Sequence, residues 1–393
     1  MDNLHKWLWL TVKSNISITK TRHLIEYFKD IDSIYEAKPN DFLNLKFLDD
    51  KEMMRLSDKS TDGIDKYIET LKRNKVKVVT IDMPEYPALL KSTFTPPFVL
   101  YCRGNFIDLN KYICISVVGT RKPTSYGISV AKEMAYKLAK EGIIIVSGMA
   151  YGIDSIAHRA ALNAGMPTVA VLGCGINRAY PAAHANLMSQ IIKTGMVISE
   201  YPPNTKPLKH HFPERNRIIA GLSVGSLFVE AAINSGSLIT AKLCCDNGRD
   251  VFSVPGDINS LYSQGTNNLI KEGAKLVTNA DEVLEDYKNF GSSFFTKPYH
   301  ELLYTPENTN DILINDKNEK APADNPKLSN YPKQEDAILK ILESRPMHID
   351  VIAQTLDTTP AKISSILLTL ELEGKIESHP GDAYSLSFKQ EEN

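Results

Sequence analysis

Apolar residues recur along this chain in changing rhythms, and the changes mark its parts. Over residues 1–72 the spacing is helical: Trp7, Leu8, Trp9 and Leu10 begin one helix, Leu24, Ile25, Phe28 and Ile31 continue at the same period, and Ile64, Tyr67, Ile68 and Leu71 form another face. From Lys75 the period shortens. Val76 to Ile81 and Phe98 to Tyr101 read as strands joined across Tyr86-Pro87 and Pro96-Pro97. Strands are then predicted at Cys114–Val118, Ile143–Val146, Thr168–Leu172, Val197–Ser199, Ser226–Val229 and Val251–Val254, the last closing the series. Helices fall between them: from about Gly127 to Glu141, through Ala164, near Ala183 to Ile192, and to about Asn247. Near-continuous apolar strands alternating with helices predict a doubly wound, mostly parallel α/β sheet over residues 73–288. Right-handed crossovers put helices on both faces, and ligands of such sheets bind outside the carboxyl ends of the strands.

Residues 289–332 are poor in apolar side chains and rich in Asn, Asp, Pro and Lys, the composition of a linker. Order returns over 333–393. Ile338, Ile341 and Leu342, then Ile349, Ile352 and Leu356, then Ile363, Ile366, Leu367 and Leu370 mark three helices. A hairpin follows, turning at His379-Pro380-Gly381-Asp382. Three helices and a hairpin resemble a winged helix. Its third helix, Thr359 to Glu373, carries Lys362 against Glu371 and Glu373, which favours protein contact or autoregulation over reading a DNA groove.

Composition narrows the chemistry. Charged residues make up 23% and hydrophobic ones 42% of 393 residues, with a net charge of −2. A uniformly basic DNA-coating protein is excluded, so any nucleic-acid site is a local patch. There is no long apolar run to suggest a signal peptide or membrane span. The five cysteines lack CxxC spacing, which argues against a zinc site or a disulfide framework and for a reducing, cytoplasmic setting.

The local patch is the stretch Lys209 to Ser223. From Lys206 to Arg217 four Lys or Arg face one Glu. Pro213 suits a first helical turn, and Ile218, Ile219 and Leu222 would hold that helix to a core. Lys209, Phe212, Arg215 and Arg217 then cluster near a helix N-terminus, where backbone N–H groups favour an anion. Cations for phosphates beside a ring for a base is the pattern of single-strand binding; an ordinary surface helix with Arg–Glu pairs explains the segment about as well.

Other strand ends add candidates. In Gly119-Thr120-Arg121 the glycine permits close approach and the arginine can fork onto a phosphate. This is not GxGxxG, so a nicotinamide cofactor is disfavoured, and no GxxxxGK[ST] supports a P-loop. Ser147 and Gly148 suit an anion cradle, Asp154 a helix cap, and His158 a packed position. Asn234-Ser235-Gly236-Ser237 brings further donors. Glu200 and Glu230 read better as partners of Arg215 and Arg217 than as a glycosidase pair, and His210-His211 lacks a third metal ligand.

Taken together, Gly119-Thr120-Arg121, Ser147 to Asp154, Phe212 to Ser223 and Ser235 to Ala241 resemble the DNA processing protein A family (DprA, or Smf) over roughly residues 75 to 287. The resemblance implies an extended Rossmann domain, flanked by an N-terminal helical domain of the SAM or helix-hairpin-helix type and the winged-helix-like tail. It further implies binding of single-stranded DNA without a cofactor, dimerisation through the Rossmann domain, and loading of the recombinase RecA during natural transformation. By the same carry-over Arg121 and Lys209 contact phosphates, Phe212 stacks on a base, Arg215, Asn216 and Arg217 complete the pocket, and Ser147, Gly148 and Asn234 form its rim, with Gly119 also among the DNA-binding residues. The rival readings are an enzyme, a nucleotide-monophosphate phosphoribohydrolase, whose Pro-Gly-Gly-x-Gly-Thr-x-x-Glu motif is missing here, and a duplex-reading regulator resting on the tail alone.

Overall fold

Strands form where the apolar runs predict them, and alternate residues of each enter different cores. In the computed structural model a single sheet contains β1 (Val76–Thr80), β2 (Val99–Gly104), β3 (Cys114–Val118), β4 (Ile144–Ser147), β5 (Thr168–Leu172), β6 (Met196–Ser199), β7 (Gly225–Phe228), β8 (Asp250–Ser253) and β9 (Lys275–Leu276). Their order is β1-β2-β6-β5-β4-β3-β7-β8-β9. From β6 across to β9 every neighbouring pair is parallel. The structure describes residues 2–287 and, in the C-terminal part, segments between 338 and 386.

All five positions of β3 and of β5 are buried. Val169 and Val171 of β5 enter a cluster with Ile218, Ile219 and Leu222 on one face of the sheet. Ala170 and Leu172 enter another, on the opposite face. Ile115 and Val117 of β3 join Ala131, Met134, Ala135 and Leu138, the inward stripe of the helix Ser125–Lys140. Each Val, Ile, Leu or Met side chain so removed from water contributes about 1.5–3 kcal/mol, so a strand buried on both faces is held from both sides.

The chain lays β3, β4, β5 and β6 outward in one direction, then returns to the other side of β3 to place β7 and β8. The order reverses between β3 and β7, the switch point where parallel sheets open a crevice.

Two features go beyond the sequence reading. The strands β1 and β2 are antiparallel, and β2 pairs with β6 through Tyr101↔Ser199 and Cys102↔Ile198. The series also continues past Val254, through the helix Gln264–Lys271 to β9. Both residues of β9 are exposed, so no apolar run announces it.

The N-terminal helices, among them Ile18–Phe28, Asp50–Ser57 and Ile64–Arg73, form as their spacing predicts. Trp7, Trp9, Leu24, Phe42 and Leu71 share one hydrophobic cluster with Val99, Tyr101, Leu172 and Val197. Trp7 stacks on Phe98 with ring centroids 5.2 Å apart. Position 72 is therefore no gap in packing, and residues 1–308 form one unit.

The second unit spans 309–393. Its described parts include β10 (Met347–His348), β11 (Ile376–His379) and β12 (Ala383–Leu386) in the antiparallel order β10-β12-β11. Ile338, Leu342, Ile352, Ile363, Leu367, Leu370 and Ile376 form its core. The linker 289–332, Lys362, Glu373 and the turn residues 380–382 lie outside the described residues.

Candidate nucleic-acid interface

A cleft of about 520 Å³ opens at the switch point. Val118 to Arg121 line it from the loop after β3, Ala150 and Asp154 from the loop after β4, and Ala232 and Asn234 to Ser237 from the loop after β7. Phe212, Pro213, Arg215, Asn216 and Ile219 line it from the helix His211–Leu222, which follows β6. The first turns of that helix, of Ile153–Asn163 and of Gly236–Asp246 thus contribute to the walls. Unsatisfied N–H groups and the positive dipole end favour an anion there.

Three neighbours in the basic stretch point three ways, because successive helical residues turn by about 100°. Arg215 is only 4% exposed. Its guanidinium donates to the carbonyls of Gly148, at 2.6 Å, and Val171. It forms the cleft floor and clamps the loop after β4 to the end of β5. Asn216 is half-buried, lines the cleft, and reaches the Gly236 carbonyl at 3.4 Å. Arg217 leaves the cleft altogether, pairing with buried Glu200 and donating to the Thr95 carbonyl.

The loop after β4 is shaped around Arg215. An added Cβ on Gly148 would overlap the guanidinium, so this glycine makes room for an arginine. Met149 sits at φ +56°, and Gly152 at +72° brings the chain against Thr120. Buried Asp154 accepts from the Gly148 and Ala150 N–H groups at 3.1 and 3.4 Å. Gly152, not Asp154, occupies the N-cap position. Burial raises the Asp154 carboxyl above its ordinary value, against the opposing pull of Arg215. Ser147 lies beneath the rim and not on it: fully buried, its hydroxyl donates to the Val117 carbonyl at 2.7 Å. His158 is packed as expected, its Nδ1 meeting the Thr168 hydroxyl at 2.8 Å. Burial, aided by Arg215, lowers its pKa to about 3, which keeps it neutral.

Glu230 does not orient Arg215. Its carboxylate accepts from the Thr124 N–H at 2.9 Å and hydroxyl at 2.5 Å, fixing the start of the helix Ser125–Lys140. Glu200, by contrast, partners Arg217 as the sequence suggests. Neither lines the cleft, whose one acidic lining residue is Asp154.

Solvent-facing groups remain at the mouth. Arg121 and Asn234 are exposed and line the cleft, Gly119 is half-buried beside Arg121, and Lys209 is exposed just ahead of the helix bearing Phe212. A Cβ at Gly119 would press on Ile153 at 2.7 Å. The half-buried Phe212 ring rests over Gly173 and meets Tyr180 with centroids 5.0 Å apart. Tyr180 is 44% exposed and lies in a loop with no periodicity to mark it. His211 is turned inward, stacked on Tyr201 at 4.0 Å.

Against known proteins, the family described as DNA recombination-mediator protein A matches residues 77–288, and the DprA winged helix domain matches 319–382. The chain belongs to the DprA/Smf family. The Smf protein of Synechocystis is 31% identical over 389 residues, covering 96% of this chain and 97% of that protein. The DNA processing protein DprA of Bacillus subtilis is 41% identical over 211 residues, covering 54% of this chain and 71% of the relative. The X-ray structure of DprA from Streptococcus pneumoniae aligns with a TM-score of 0.64 at 35% identity, over 73% of this chain and 99% of that one. The first DprA match contains the whole cleft. The second begins at 319, inside the stretch that composition reads as linker.

Proposed function

We propose that this chain binds single-stranded DNA in the cleft, without catalysis, and delivers it to the recombinase RecA during transformation or recombination. The observation that carries the reading is the pairing of exposed cations, Arg121 and Lys209, with the half-buried ring of Phe212 in the cleft wall. Phosphates meet the cations, and an unpaired base lies on the ring. Asn216, Asn234 and the backbone beside Gly119 complete the contact surface. Arg215, Gly148 and Ser147 shape it from below, and Arg217 braces the helix from behind. Such a grip reads backbone and ring face, so sequence preference is small.

Two further observations support the reading. Family membership favours a role as a recombination mediator, and RecA loading is the form of that role proposed here. The cleft's one acidic lining residue, Asp154, is buried and holds the Gly148 and Ala150 N–H groups, a structural placement that speaks against phosphoribohydrolase chemistry. The protein acts in the cytoplasm, as a dimer through its Rossmann domain. Among the described residues no helix is long and apolar enough to cross a membrane.

Arg121→Glu and Lys209→Glu should each abolish oligo-dT binding in fluorescence anisotropy with an unchanged unfolding midpoint. Retained affinity at moderate salt in both variants would remove the cleft assignment. Single strands should outcompete duplex of equal length, and adenosine monophosphate should release no free base. The full chain should speed RecA filament growth on strands coated with single-strand-binding protein, and light scattering should give twice the chain mass.

A further inference from the structure

We propose that Tyr180 is a second nucleobase platform, outside the cleft and continuing the stack that begins on Phe212. The proposal rests on the single-strand reading above and extends it to a further residue and a direction for the strand.

Tyr180 keeps a large ring in solvent, and among the described residues its hydroxyl makes no hydrogen bond. Its ring lies 5.0 Å from that of Phe212, with the planes 32° apart. A base slipped between two rings needs about 7 Å, twice the contact distance of stacked carbons. The pair is too close for that. A base in the cleft therefore meets Phe212, and the next meets the outer face of Tyr180.

The loop carrying Tyr180 is fixed for this task. Gly175 N–H donates to the Thr205 carbonyl at 3.0 Å, and Arg178 Nε to the Asn204 carbonyl at 3.1 Å. Asn177 and Asn204 exchange two hydrogen bonds, of 2.9 and 2.8 Å. These bonds zip the Tyr180 loop to the segment that presents exposed Lys206 and Lys209. Exposed Arg178 lies two residues before the tyrosine. The rigid surface thus repeats the cleft's chemistry, a ring beside cations, and leads the strand away over the ends of β5 and β6.

The test is anisotropy with labelled dT20 on the full-length protein. A stacked base contributes about 1–3 kcal/mol, so Tyr180→Ala should weaken binding about 5- to 150-fold, with Tyr180→Phe close to wild type. The salt slope should not change, because no phosphate contact is lost. Tyr180→Trp should bind like wild type and show fluorescence quenching on saturation that the wild type, whose Trp7 and Trp9 are buried, lacks. Tyr180→Ala binding within twofold of wild type, or Tyr180→Trp binding without quenching, overturns the platform. If Lys209→Glu and Phe212→Ala are equally silent, or the wild type ignores dT20, the cleft reading falls with it.

Discussion

The floor and the mouth of the cleft use the same residue types for opposite ends. On the floor, Arg215 is buried, donates to the Gly148 and Val171 carbonyls, and lies near a buried Asp154. In solvent, Arg121 at the cleft wall and Lys209 just ahead of the Phe212 helix make no ion pair among the described residues. A buried cation with every neighbour arranged around it is part of the fold. An exposed one beside a ring is free to meet a polyanion. The basic motif is therefore not one site: its cationic character divides between holding loops in place and presenting charge.

That division can be broken experimentally, and the largest effect belongs to the floor. Replacing Arg215 by Met leaves two carbonyls without their donor in the interior and removes the neighbouring charge that favours the buried Asp154 carboxylate, and should lower stability by about 3–5 kcal/mol in urea unfolding. Loss of DNA binding without loss of stability would place Arg215 at the mouth. Next comes the ring. Phe212→Ala should cost about 1–3 kcal/mol of oligo-dT affinity with the unfolding midpoint little changed.

His158 gives the floor a signature in pH. Its folded pKa, about 3, lies below the ordinary 6.5, so the unfolded chain takes up a proton first on acidification. Its contribution is whole above pH 6.5 and is lost as pH falls toward 3, with a slope approaching about 1.4 kcal/mol per pH unit. His158→Asn should flatten the stability profile in that window by one proton. The smallest effect returns to the mouth: Lys209→Gln should reduce the salt slope of single-strand binding by about 0.7, one phosphate contact.

The sequence showed the sheet plainly because buried parallel strands are mostly apolar along their length. It showed the cleft because small and polar residues collect at the strand ends. It misread the motif's orientation. Arg215 precedes Ile218, Ile219 and Leu222 by three, four and seven residues, which places it on the same buried stripe; that spacing was there to be used. Arg217, two positions on, turns away from the cleft toward Glu200. Ser147 closes β4, and its burial follows from the strand and not from the glycines after it. Tyr180 and β9 left no trace, since neither an aperiodic loop nor a two-residue edge strand alters the apolar rhythm.

The antiparallel pairing of β2 with β6 joins the part of the first unit under the N-terminal helices to the parallel sheet along one seam. The strand next to β6 is the one whose Val99 and Tyr101 lie beneath the N-terminal helices. A chain started at residue 73 would wet that seam along its length, and the segment bearing Lys209 hangs from the far end of the same β6. Loosening the amino terminus would thereby reach the strand from which the Lys209 segment hangs.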